Sequence, residues 1–167
     1  MEFTNEHITG RIKAQFGDKI LFVEEPFELL TITAAADINV ELVSFLKNDP
    51  ELQVIFLTDL CGIHYPENKG EEIGVICHLH SLVHNFRIRL KFFIPEAAPS
   101  IRSLVPVFPG ANWMERETFD FYGIKFEGHP NLKRVLNVDD MTYHPMLKQY
   151  PLEDPTREDK NDTYFGR

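Results

Sequence analysis

Apolar residues recur along this chain with two periods. Ile8, Ile12 and Phe16 stand four apart, which predicts a helix from Thr4 or Asn5 to a stop at Gly17. Two short strands, Lys19–Val23 and Phe27–Thr33, are predicted next, parted by Glu24-Glu25-Pro26. Asp37 is suited to cap a second helix with the apolar face Ile38, Leu42, Phe45 and Leu46, ended by Asn48-Asp49-Pro50. The period then changes to two. Val54–Leu60 reads as a central strand, and Ile73–Leu82 and Phe86–Ile94 follow as a meander, with a loop from Cys61 to Glu72. Phe86, Ile88, Leu90 and Phe92 alternate with Arg87, Arg89 and Lys91, the mark of a half-buried strand with a charged outer face.

Prolines at 95, 99, 106 and 109 interrupt the next stretch, where Ser100–Val105 is predicted as a short helical piece. Asn112-Trp113-Met114-Glu115 has the form of a capping box and opens a better helix, which Gly123 closes as a left-handed residue. Periodicity fades after about residue 137. The fold class expected is α+β: a mixed, largely antiparallel sheet of four or five strands with helices packed on it. One domain is expected over 1–143 and an extended tail over 144–167. The tail could reach about 80 Å at ~3.3 Å per residue. With Leu152, Tyr164 and Phe165 its only apolar side chains after Pro151, it is expected to order on a partner.

At 167 residues with 43% hydrophobic residues, the chain can bury a core without disulfides. Its 17 Lys and Arg against 26 Asp and Glu leave a net charge of −9, which argues against nucleic acid or an anionic bilayer as the main partner. The first residues are acidic and lack the apolar stretch of a secretory signal, and no apolar run approaches the ~20 residues of a membrane helix. The two cysteines suit cytosolic thiols.

Three groupings could carry chemistry. Cys61-x2-His64 and Cys77-x2-His80 have zinc-like spacing, but Cys77 and His80 lie three apart on a strand and point to opposite faces. Glu117 and Asp120 share a helix face and could form an acid–base pair; Arg116 beside them favours helix ion pairs instead. Trp113, Phe119, Phe121, Tyr122 and Phe126 are core or an interface anchor. No Ser/His/Asp order and no Gly-rich phosphate loop is present.

Read continuously, residues 115–136 run Glu115-Arg116-Glu117, Asp120-Phe121-Tyr122, Gly123, Gly128-His129-Pro130, Lys133 and Val135-Leu136, preceded by Trp113. This resembles the signature of the C subunit of proton-translocating NADH:quinone oxidoreductase, respiratory complex I. Downstream, His144-Pro145, Lys148 and Tyr150-Pro151-Leu152 continue the likeness. Two departures stand here, Met146-Leu147-Lys148-Gln149 in the tail for an arginine-lysine-aspartate run and Met141-Thr142-Tyr143 just before it for a Trp-x-Gly.

The resemblance implies an accessory component of the peripheral arm, on the cytoplasmic side of the bacterial inner membrane. Its partners would be chiefly the D subunit, then the B subunit. The chain would hold no cofactor or metal and no catalytic residue, with NADH, FMN, iron–sulfur clusters and quinone on partner subunits. The signature and tail residues would be structural or interfacial. From its own place between Glu115 and Glu117 beside an aromatic run, Arg116 is expected to be at least partly buried and bonded to carboxylates of its helix or a nearby segment. The alternatives are the equivalent subunit of a ferredoxin-, F420- or hydrogenase-linked membrane complex, a stand-alone zinc protein, and a small hydrolase using Glu117 and Asp120.

Overall fold

The computed structural model describes residues 4–151. Helix α1 (Asn5–Phe16) is capped by Thr4, whose hydroxyl accepts from the His7 N–H, and stops at Gly17 with φ +52°. Strands β1 (Ile20–Glu24) and β2 (Leu30–Ala34) pair antiparallel. β2 starts three residues later than expected because Phe27 and Glu28 both adopt left-handed backbone, which no strand accommodates. Helix α2 (Asn39–Asn48) begins after a 3₁₀ turn at Ala36–Ile38. Asp37 does not cap it; its carboxylate lies 2.5 Å from Lys19 Nζ. Asp49 accepts from the Glu51 and Leu52 N–H groups and from Arg11, which ties the end of α2 to α1.

Strands β3 (Phe56–His64), β4 (Ile73–Ser81) and β5 (Phe86–Ile94) form the meander. β3 runs four residues past the expected end, because Cys61 to His64 pair with Ile76 to Ile73, and the loop shrinks to 65–72. The five strands lie in the order β1-β2-β5-β4-β3, antiparallel except for β2 beside β5. The expected mixed, largely antiparallel sheet and the helices packed on it are present. Ile88, Leu90 and Phe92 share one core with Ile8 and Ile12 of α1 and with Leu42 and Leu46 of α2. Arg87, Arg89 and Lys91 occupy the opposite sheet face, as the alternation requires.

Ser100–Val105 is not helical. Ser100–Arg102 forms a strand, β6, parallel to β7 (Lys125–Glu127), a pairing that only the folded chain can supply. Between them lies α3 (Ala111–Tyr122). Its first turn has no side-chain cap, so Asn112 and Glu115 do not form the expected box. Gly123 closes it at φ +77°, its N–H donating to the Phe119 carbonyl at 2.8 Å. No helix among the described residues is long and apolar enough to cross a membrane.

Candidate interaction site on the third helix

Helix α3 packs against edge strand β3, and the approach is close. A Cβ on Gly62 would lie 2.5 Å from a ring carbon of Tyr122, so only glycine admits that ring. This anchoring fixes the helix faces. Glu115 points inward with 0% of its surface exposed, accepting from Ser103 Oγ at 2.7 Å and the Leu104 N–H at 2.6 Å. Burial pushes its carboxyl up to about 7, against the partial offset of those two donors. Glu115 therefore joins α3 to the turn after β6, twelve residues upstream.

Asp120, also 0% exposed, is the centre of a second network. Its carboxylate accepts from Arg134 Nη1 at 2.6 Å and from the N–H groups of Val135, Leu136 and Asn137 at 3.1, 2.9 and 2.9 Å. The Asn137 amide adds a further bond at 3.0 Å. Burial alone would raise this carboxyl; the donors, led by the Asn137 and Leu136 N–H groups and then Arg134, outweigh it and hold the group far below the ordinary carboxylate range. Arg134 extends the network to the carbonyls of Met141 and Tyr143. The carbonyl of Asp120 accepts in turn from His144 Nδ1 at 2.9 Å.

Arg116 is buried as expected, but carboxylates do not hold it. Its guanidinium donates to the backbone carbonyls of Lys133 and Arg134, both at 3.2 Å, and stacks 4.6 Å from the Trp113 ring. The helical ion pair expected between Arg116 and Asp120 is replaced by Arg134, which the loop returns to the helix. His129 closes the loop's other end, its Nε2 3.0 Å from the Asn112 carbonyl and its Nδ1 accepting the Asn131 N–H. Gly128 supplies the left-handed turn before it, at φ +82°. Glu117, Pro130 and the Lys133 side chain are exposed.

The segment from His144 does not leave the domain at once. The Met146 N–H donates to the Phe121 carbonyl at 3.1 Å, the Lys148 N–H donates to His64 Nδ1 at 3.0 Å, and Lys148 Nζ lies 5.3 Å from the Tyr65 ring centre. The His144 ring fills the space beside Gly123 that a Cβ would need, and Tyr150 stacks on Tyr143 at 4.8 Å. Pro145, Pro151 and Leu147 line a cleft of about 570 Å³ with Ile63, Tyr65 and Tyr122. The body thus supplies contacts for 144–151 that the composition of the tail does not announce. Leu152 and the rest of the expected tail lie outside the described residues.

The rival groupings separate. Leu60 lies opposite Cys77 and Cys61 opposite Ile76, so the two thiols leave opposite sheet faces. Burial pushes the Cys61 thiol up to about 11 and raises that of Cys77 further, away from the thiolate a metal needs. Among the described residues no three His, Cys, Asp or Glu side chains converge on a metal position. Glu117 and Asp120 do not form a pair: one is exposed, the other enclosed by its loop. Reasoning from sequence missed Ser103 and Arg134, and placed His64 in a zinc-like spacing where the structure has it accept the Lys148 N–H. Arg134 carried the faint signal of a cation fourteen residues past a helical acid, with no periodicity to join them.

Around these networks the apolar side chains turn outward. Trp113 is 63% exposed, Leu136 64% and Val138 63%, and Met146 and Tyr143 are exposed beside them in sequence. Fold and site therefore define an α+β domain whose charged residues fix a loop and whose apolar residues are displayed.

The chain belongs to the respiratory-chain NADH dehydrogenase 30 kDa subunit family, whose model matches residues 32–156. It is 40% identical over 152 residues to the C subunit of NADH-quinone oxidoreductase from Caulobacter vibrioides, covering 91% of this chain and 74% of that one. To the same-named protein of Nocardioides sp. it is 48% identical over 107 residues, 64% of this chain and 43% of that longer relative. Among solved structures it resembles the trypsin-resistant fragment (1-134) of Nqo5, with TM-score 0.66 and 26% identity over 76% of this chain and 98% of the fragment. A chain of the membrane-bound sulfane sulfur reductase, an archaeal respiratory membrane complex, shares the fold at TM-score 0.72 and 20% identity, over 88% of this chain and 85% of that one.

Proposed function

We propose that this chain is the accessory C subunit of the peripheral arm of an NADH:quinone oxidoreductase. It serves assembly and structure beside the quinone-site subunits, chiefly the D subunit and then the B subunit, on the cytoplasmic side of the inner membrane. In this reading the chain holds no redox centre; NADH, FMN, iron–sulfur clusters and quinone belong to its partners. The observation that carries the reading is the use made of the signature. Glu115, Arg116 and Asp120 spend their hydrogen bonds on this chain's own backbone and side chains, while Trp113, Leu136 and Val138 face outward.

The test is retention on native membranes. Leu136→Ser with Val138→Ser removes exposed side chains, so the melting temperature of the isolated chain should move little, since surface changes of this kind stay within about 0.5 kcal/mol. Retention of the chain on membranes and NADH:quinone turnover should both fall. Undiminished retention and turnover would refute the interface. Slow turnover with full retention would instead give this face a part in catalysis.

A further inference from the structure

We propose that His64 is a proton-operated latch holding the segment around Lys148 on the edge of β3. The latch is a property of the chain itself and is independent of its partners.

The argument begins with the hydrogen. The Lys148 backbone N–H can only donate, and it points at His64 Nδ1 from 3.0 Å. Nδ1 must therefore hold a lone pair, which makes the ring neutral with its hydrogen on Nε2. The His64 side chain is 1% exposed. Among the described residues Nε2 has no hydrogen-bond partner; it stands 3.6 Å from Glu96 Oε2, just beyond bonding distance. A buried imidazole thus has one nitrogen committed to a neighbouring backbone amide and the other facing a carboxylate.

Adding a proton reverses the first contact. An imidazolium carries N–H at both nitrogens, so Nδ1 would present a donor to the donor of Lys148. The bond is lost, and the new charge finds Glu96 beside it. The latched form holds no proton at Nδ1 and the released form can take one, so acid shifts the population toward release.

The other groups around the ring set the direction. Glu96 comes from the loop after β5, and its own N–H is fixed by Glu72 Oε2 at 3.1 Å. The Lys148 ammonium is turned onto the Tyr65 ring, and Tyr122 of α3 borders the same cleft. The nearest carboxylate therefore favours the cation once Lys148 has moved, whereas the Lys148 ammonium leaves with its own backbone.

The second imidazole of the segment behaves differently. His144 Nδ1 lies 2.9 Å from the Asp120 carbonyl, an acceptor, so it donates there whether the ring is neutral or charged. The Met146 N–H bond to the Phe121 carbonyl involves no titrating group. Acid thus frees the chain at Lys148 and leaves it pinned at His144 and Met146. The part released borders the 570 Å³ cleft, so the latch governs access to those apolar walls.

Amide exchange on the full-length chain tests this, corrected for intrinsic rates, between about pH 8 and 5, the interval over which histidine changes charge. The Lys148 amide should lose about fivefold in protection on acidification, the factor that one ordinary net hydrogen bond carries. The Met146 amide should keep its protection. In His64→Asn the amide oxygen takes the place of Nδ1 and accepts at every pH, so the loss at Lys148 should vanish. Should that variant fail to fold, the ¹⁵N resonance of His64 Nδ1 in the wild-type chain decides instead. It should report a bare nitrogen at high pH and gain its proton in step with the release of Lys148. Constant protection, an equal loss in the variant, parallel loss at Met146, or a proton on Nδ1 in the latched state would each overturn the latch.

Discussion

Truncating Asp120 removes the centre of the loop's hydrogen-bond network without touching the hydrophobic core. Asp120→Ala leaves the Arg134 side chain, 10% exposed, without its carboxylate. Breaking a buried pair from one side costs ~3–5 kcal/mol. Three backbone N–H groups lose their acceptor as well, at ~1–3 kcal/mol each while they stay buried. These costs do not add, because the loop can detach and let water take the donors. We expect a loss of about 4 kcal/mol, close to the pair alone. At ~2–4 °C per kcal/mol for a domain of this size, the melting temperature should fall about 10 °C.

Asp120→Asn keeps the shape and one carbonyl acceptor and loses the charge. It should cost about 2 kcal/mol, the worth of a hydrogen bond to a charged group. Urea unfolding at neutral pH gives both values, and exchange at the 135–137 amides shows whether the loop has gone. Arg134→Met combined with Asp120→Ala should cost less than the two changes summed, since either alone strands the other. The pH dependence has a definite sign. The carboxyl is held below its unfolded value, so its contribution is complete above about pH 4 and is lost as pH falls through the folded value, far into acid. A loss under about 1 kcal/mol for Asp120→Ala, against the ~3–5 kcal/mol of a buried pair, or unchanged protection at 135–137, would refute the frame assigned to this residue.

Glu115 gives the opposite sign: its folded value is raised to about 7, so its contribution is present below the unfolded value and fades as pH rises through 7. Glu115→Gln should remove that slope and match or exceed the parent in stability at pH 8, as read by denaturant titration at several pH values. Gly62→Ala should cost ~1–3 kcal/mol by overpacking, because the added carbon meets the Tyr122 ring, itself held by the domain; calorimetry checks it. Arg116→Lys should weaken the 133–134 backbone attachment, since a single ammonium cannot span two carbonyls and stack on Trp113; faster exchange near residue 135 with little change in the β5 amides is the expected pattern.

The legible parts of the fold were those set by local pattern. The alternation in β5 located Phe86–Ile94 at both ends, because one face meets the core and the other does not. Gly123 marked the end of α3, since its positive φ excludes most other residues. What stayed hidden depended on partners remote in sequence. Ser100–Arg102 is a strand only because β7 lies beside it. Asn112 and Glu115 have the spacing of a cap, yet Leu104 and Ser103 offer Glu115 better-placed donors. The signature falls on α3 and the loop after it, but Arg116 and Asp120 looked like partners because they stand four apart. The loop brings Arg134 back to Asp120, and its carbonyls to Arg116, a closure that no helical periodicity encodes.

The division of labour between backbone and side chain explains how one helix can both organise a loop and leave its surface adaptable. Asp120 binds Val135, Leu136 and Asn137 through their N–H groups, which every residue but proline possesses. Arg116 binds Lys133 and Arg134 through carbonyls, which every residue possesses. The helix therefore fixes the path of 133–137 without constraining the side chains at 133, 135 and 136. Within 133–137, Arg134 and Asn137 contribute side chains to the Asp120 frame. Leu136 sits between them with its backbone held and its side chain 64% exposed. Because the loop is already ordered, a partner meeting that side chain is spared much of the ~1–2 kcal/mol per residue needed to fix free backbone. Substitutions at 116 and 120 should consequently damage stability and binding together, whereas those at 136 and 138 should damage binding alone.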